Sequence, residues 1–219
     1  MKTKGFFITF EGPDGSGKTT IINMIFEQLK KDFPNKKILL TREPGSNDDK
    51  LCMDIRNLLL NKDIKIDYRC EALLFAADRA QHVGEFLKPN LEEGSIILCD
   101  RFIDSSIVYQ GFARKLGPEN VWKLSEFAIQ GIMPNLTLML MVTPEVSNQR
   151  INSRVNNSGE QNRIDKEKES FHKLVYDSLN YQIQNDKTGR IYEVDASFEI
   201  EKVFEISYKK VIDTIKNSI

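Results

Sequence analysis

One tryptophan, two histidines and three cysteines are scattered through 219 residues, and neither sign of charge is in excess. Cys52, Cys70 and Cys99 have no metal-like spacing and cannot close an even disulfide framework, so a reducing cytoplasm is the simplest setting. His82 and His172 are isolated and read as packing or surface residues. Lys and Arg number 31 against 32 Asp and Glu, a net charge of −1, so no broad basic field argues for nucleic acid or a membrane surface. Any arginine-rich site must be local. No apolar run approaches the length of a membrane span, and the run after Met1-Lys2-Thr3-Lys4-Gly5 is too short for a signal-peptide core. Repeats and low-complexity tracts are absent too. What remains, 40% hydrophobic and 29% charged, describes a single soluble globular domain over 1–219.

The informative stretch is Gly12-Pro13-Asp14-Gly15-Ser16-Gly17-Lys18-Thr19-Thr20. An apolar run, Phe6 to Phe10, precedes it, and a helical pattern with Ile22, Ile25, Phe26, Leu29 and Phe33 on one face follows. Strand, glycine loop and helix together give G-x-x-x-x-G-K-[ST] its meaning as a phosphate cradle; without that context it is only a glycine-rich turn before a helix. The loop amides point inward at phosphate oxygens and the helix contributes its positive end. Lys18 then reaches the β- and γ-phosphates and the Thr19 hydroxyl holds Mg²⁺. The pattern indicates a nucleoside triphosphate and leaves its fate open.

Further apolar runs lie at Lys37–Leu40, Ser95–Cys99, Leu136–Val142 and Arg190–Val194, separated by helical patterns. One long helix is expected from about Asp67 to Leu87, interrupted at Gly84 and stopped near Pro89, and others at roughly Ser105–Ala113, Pro118–Gly131, Pro144–Arg154 and Asp165–Asn185. Five such runs predict an α/β fold, a five-stranded parallel sheet flanked by helices on both faces. Ligands in such sheets bind beyond the carboxyl ends of the strands. That rule gathers Asp14 to Thr19, Arg42 to Gly45, and Asp100 with Arg101. Arg42 suits an anion, Asp100 sits where an acidic residue orders Mg²⁺ and its water, and Arg101 can neutralise a second phosphate.

Several strings resemble the thymidylate kinase family: 7–20, Thr-Arg-Glu-Pro-Gly (41–45), Arg-Asn-Leu-Leu-Leu (56–60), Leu-Leu-Phe-Ala-Ala-Asp-Arg (73–79), Asp-Arg-Phe-Ile-Asp-Ser-Ser-Ile-Val-Tyr-Gln-Gly (100–111) and Asn-Arg-Ile-Asp (162–165). They occur in family order from about residue 6 to the last helix, and the 100–111 string is the most specific. The resemblance implies phosphoryl transfer from ATP to dTMP with Mg²⁺, and a homodimer. Phe75, otherwise a core residue, would stack on the pyrimidine, and Arg79, one turn on, would donate to a carbonyl at its edge. Ser106 and Gln110, four apart on one helix face, are implied as further base contacts, and Tyr109 as the residue beside the sugar. Arg42 and Arg101 would grip the dTMP phosphate, with Asp14 approaching sugar and phosphate.

A lid is expected over about 150–165, flanked by Arg150, Arg154 and Arg163. Gly15-Ser16 lack the arginine that one class of the family carries in its phosphate loop, which implies the lid-arginine, bacterial-type class, with Arg154 or Arg163 as the catalytic arginine beside Lys18 and Asp14. Ser158-Gly159 stand where many bacterial members have a further arginine, and Ser46-Asn47 replace Gly-Thr. Glu167 reads either as a contact to Mg²⁺-bound water or as a solvated residue. The alternatives are a deoxynucleoside or other monophosphate kinase and, from another class, a GTP-binding switch. For the latter, Asn61-Lys62-Asp63-Ile64 misplaces the required acid. A motor or DNA-processing ATPase lacks the basic stripe it would need.

Overall fold

The structure, a computed structural model, describes residues 5–46, 49–158, 163–164 and 166–216, with the side chains of 154, 157 and 158 left aside. Its centre is a five-stranded sheet in the order β2-β3-β1-β4-β5, formed by β1 (Phe6–Glu11), β2 (Ile38–Arg42), β3 (Ile96–Asp100), β4 (Leu136–Met141) and β5 (Ile191–Asp195). Every pairing is parallel, and the register sets Phe10 beside Asp100 and Arg42 beside the same Asp100. The strand ends that carry the glycine loop, Arg42 and Asp100 are therefore neighbours, as the apolar runs predict.

Alternation within each strand divides the core into two layers. Ile8, Phe10, Leu98, Leu138 and Leu140 face α1 (Lys18–Asp32) and α9 (Ile200–Lys216), packing on Ile22, Ile25, Leu29, Val203 and Val211. Phe7, Ile97 and Cys99 face the other way, onto Val83, Leu87, Leu91 and Phe102. Met139 and Met141 continue that second face against Val108, Tyr109 and the α8 (Glu169–Gln184) residues Phe171, Val175 and Leu179. The remaining helices are α2 (Lys50–Leu60), α3 (Tyr68–His82), α4 (Lys88–Glu92), α5 (Ile103–Ser106), α6 (Pro118–Ile129) and α7 (Pro144–Ser158). No helix among the described residues is long and apolar enough to cross a membrane.

Two helical expectations need correction. The helix after Asp67 does not stop at Pro89: a π-helical turn, Val83–Leu87, follows α3, and α4 carries the chain through Pro89 to Glu92. The Lys88 amide donates five residues back to the Val83 carbonyl, and Pro89 falls in the first turn of α4, where its missing N–H costs no internal bond. The expected helix over Ser105–Ala113 is likewise α5 followed by a π-helical turn, Ile107–Ala113. In addition, α7 runs to Ser158 rather than Arg154 and α8 begins at Glu169 rather than about Asp165. Asn47, part of the expected lid (159–162) and Asp165 lie outside the described residues.

Candidate active site

Gly12 needs its missing side chain twice over: its φ is +137°, and a Cβ would lie 2.2 Å from the Leu140 carbonyl oxygen. Gly17 caps α1 in the left-handed region, turning the helix start towards the loop. Lys18 Nζ lies inside that curl, donating to the carbonyls of Gly12 (3.1 Å) and Pro13 (2.8 Å) and to Ser16 Oγ (3.4 Å). Burial is the main cause that pushes its ammonium down to about 8, aided by the Arg101 charge and opposed by Asp14 and Asp100. An anionic ligand in the loop would reverse that shift.

Thr19 Oγ1 donates to Asp100 Oδ2 at 3.1 Å. Asp100 Oδ1 is buried with no hydrogen-bond partner among the described residues. A hydroxyl beside a carboxylate oxygen that lacks a partner is a hard oxygen donor set, suited to Mg²⁺ carried in with phosphates; Thr19 and Asp100 thus fit the metal the sequence implied.

Arg101 adopts a left-handed backbone, φ +70°, which turns its side chain back over the loop. Its guanidinium donates to Asp14 Oδ1 (2.7 Å), the Gly12 carbonyl (3.1 Å) and Ser105 Oγ (3.0 Å) and stacks on the Tyr109 ring at 5.1 Å. Tyr109 donates its hydroxyl to Asp14 Oδ2 at 3.0 Å. Burial by itself would raise the Asp14 carboxyl; Arg101 and Lys18 overcome it and bring the group down to about 2. Glu11 supports Arg101 from behind, accepting from the Phe102 amide (2.7 Å) and Ser105 Oγ (2.5 Å). Burial, then the neighbouring Asp104, pushes its carboxyl up to about 7.

A cleft of about 550 Å³ is lined by Gly15, Gly17, Lys18 and Thr19 together with Arg42, Arg101, Phe75, Arg79, Ser106, Tyr109 and Gln110. These sequence candidates thus share one space. Arg79 is nearly fully buried and more committed than expected: Nε donates to Glu43 Oε2 (2.8 Å), Nη1 to Ser125 Oγ (3.2 Å), and Nη2 to the Phe102 carbonyl (3.1 Å) and Ser106 Oγ (3.0 Å). One Nη1 hydrogen is left without a partner among the described residues. Gln110 Nε2 donates to Glu71 Oε1 at 2.8 Å.

The lid arginines are distributed unequally. Arg150, on α7, reaches the carbonyls of Gly15 (3.3 Å) and Ala196 (3.2 Å) and borders the cleft. Arg163 instead pairs with Glu71 Oε2 (2.5 Å) and donates to the Leu59 carbonyl (3.0 Å), on the acceptor side. The Arg154 side chain lies outside the described residues. Glu167, read as solvated or near the metal, pairs with Arg114 at 2.7 Å.

Some site residues escape the sequence reading. Arg56 lines the cleft and donates to the Pro44 carbonyl, its own charge disfavoured by burial and by nearby Arg42; within 56–60 it contributed only to the resemblance. A second hollow of about 330 Å³ abuts the loop at Gly15 and Gly17, bounded by Arg150, Ala196, Ser197 and Phe198. The rule about carboxyl strand ends, applied to β5, would have found it. His82, read as packing or surface, is fully buried between Glu43 (2.9 Å) and Thr41 (2.8 Å).

The thymidylate kinase family model matches residues 10–206. The thymidylate kinase of Staphylococcus epidermidis is 44% identical over 210 residues, 96% of this chain and 98% of the relative. That of Clostridium novyi is 46% identical over 203 residues, 92% of this chain and 96% of the relative. A crystal structure of thymidylate kinase from Ehrlichia chaffeensis superposes with a TM-score of 0.74 at 30% identity, covering 94% of this chain and 98% of that one. With near-full-length likeness in sequence and in fold, and a glycine loop that shares one cleft with Arg42 and Arg101, the chain belongs to the thymidylate kinase family.

Proposed function

We propose that the chain transfers the γ-phosphoryl group of ATP to dTMP, giving dTDP and ADP. The observation that carries this reading is one cleft that gathers a triphosphate cradle with an arginine-rich, aromatic set of residues suited to the acceptor. The attacking atom is a phosphate oxygen of dTMP, so no protein nucleophile is needed and catalysis rests on alignment and charge neutralisation. Arg42, Arg56 and Arg101 surround the acceptor phosphate, Asp14 holds Arg101 and Tyr109 in place, and Phe75, Arg79, Ser106 and Gln110 receive the base. The loop from Gly12 to Thr20 takes the ATP phosphates, and the hollow beyond Gly15 suits the adenosine. Thr19 and Asp100 would hold Mg²⁺, which would supply charge neutralisation for the phosphates. Because Arg163 is engaged by Glu71 and the Leu59 carbonyl, the arginine that meets the phosphoryl group in flight is assigned to Arg154. The working form is a homodimer in the cytoplasm.

The test is a coupled ADP-release assay of the purified protein over all nucleoside monophosphates and thymidine. The expected result is turnover dominated by dTMP; phosphorylation of thymidine with none of dTMP would make the chain a deoxynucleoside kinase. Arg154→Ala is expected to lower kcat by on the order of 10³ while dTMP still binds, and Arg163→Ala by much less.

A further inference from the structure

Glu71 is a fully buried carboxylate, on α3, that the reaction itself does not use. Three partners load its two oxygens. Gln110 Nε2 (2.8 Å) and Arg114 Nε (3.2 Å) reach Oε1; Arg114 Nη2 (3.4 Å) and Arg163 Nη2 (2.5 Å) reach Oε2. Arg114 is itself buried, stacked between the rings of Tyr68 (4.5 Å) and Phe171 (4.6 Å), with Nη1 on Glu167. Glu71 faces two guanidinium groups, and a carboxylate paired in this way accepts hydrogen bonds. The end of the Gln110 amide that meets it must therefore be the NH₂. The carbonyl Oε1 is turned the other way, no described residue donates to it, and Gln110 lines the cleft.

We propose that Glu71 is a specificity-determining positioning residue: by fixing which way the Gln110 amide points, it makes the pocket accept bases with an N3–H donor and reject those with a bare N3. The inference rests on the reading that dTMP occupies this crevice. Thymine and uracil present N3–H flanked by carbonyl oxygens, so Gln110 Oε1 takes the N3 hydrogen while the unused Arg79 Nη1 hydrogen suits the adjacent O4. Cytosine presents a lone pair at N3 and an amino group at C4, setting acceptor against acceptor and donor against donor. Glu71 achieves this without touching the base. Left to rotate, a glutamine amide could serve either pattern; held by a buried charge, it serves one. Leaving a buried polar group unpaired is what gives hydrogen-bonding sites their large discrimination.

The test compares kcat/KM for dTMP and dCMP in the wild type, Glu71→Gln, Glu71→Asp and Gln110→Leu, with the ATP KM and thermal midpoint measured alongside. Glu71→Gln keeps the shape but lets the neighbour donate, freeing Gln110 to turn. The dTMP:dCMP ratio is expected to fall at least ~10-fold, through a rise in the dTMP KM more than a loss of kcat, whereas Glu71→Asp retains the preference. A purely structural role would weaken both substrates alike and leave the ratio unchanged, and that outcome overturns the proposal. A change in Gln110→Leu with none in Glu71→Gln removes only this inference; no change in Gln110→Leu removes the reading of the pocket as well. Should Glu71→Gln not fold, a crystal of the wild type with dTMP decides. The amide must stay on Glu71 with its other atom in reach of thymine N3, and an amide that has left Glu71 overturns the proposal.

Discussion

Lys18 is the residue whose charge the fold most clearly leaves for a ligand to settle. Burial holds its ammonium down at about 8 against an ordinary 10.5, so near pH 8 about half of the free protein lacks that proton. A triphosphate in the loop brings several negative charges within contact range and restores the higher value. ATP binding at pH 8 should therefore take up a fraction of a proton from buffer, seen by calorimetry in buffers of different ionisation enthalpy. The uptake should vanish near pH 6, where the free protein is already protonated, and in Lys18→Met at any pH; uptake persisting in that variant would place the proton elsewhere. Lys18, Thr19, Asp100 and the two phosphate-side arginines are readable in the sequence because each sits in a short motif at a strand end. The pairings of Glu71, Arg114, Arg163 and His82 are not, since their partners lie tens of positions away and only packing brings them together.

Among the elements, strands are the most legible and the helices bordering the cleft the least. Continuous runs such as Leu136–Met141 are buried throughout, a signature that survives without context. Gly84 and Pro89 read locally as a break and a stop, but the wide turn Val83–Leu87 shifts the hydrogen-bond register ahead of the proline and the chain stays helical. The same widening at Ile107–Ala113 carries Tyr109 and Gln110, both of which face the site; such turns recur at functional positions. Helix α7 is tied down from its own side by Arg150, which clamps the Gly15 carbonyl to that of Ala196 beyond β5. Through Arg150, the lid's root is tied to the ATP side. Arg150→Ala should raise the KM for ATP by several-fold to ~10-fold, the loss of one or two charge-assisted bonds, and leave that for dTMP nearly unchanged. Equal rises in both would contradict this division of the cleft.

For the molecule as a whole, the polar side of the site is closed by its own partners while one apolar face is not. Cys70, Leu73 and Ala77 stand exposed at helical spacing along α3, which packs between α2 and α6. Leu73 is 54% exposed and, on α6, Phe127 is 87% exposed and Trp122 38%. An apolar stripe of this kind on a chain with net charge −1 is the surface a self-complementary partner would cover, in keeping with the homodimer proposed above. In a two-fold interface every residue is used twice, so one substitution places two like changes in it. Leu73→Glu forfeits roughly 2 kcal/mol of apolar burial in each copy and adds two buried like charges. The wild type should sediment at twice the 25.2 kDa of one chain and Leu73→Glu as a monomer with its far-ultraviolet spectrum unchanged. Phe127→Asp should give the same result if α6 shares the interface. Because α3 carries Glu71, Phe75 and Arg79 on its buried side, the monomer is expected to lose affinity for dTMP rather than for ATP. A wild type that stays monomeric at micromolar concentration, or a Leu73→Glu dimer, would show that this face does not join two copies.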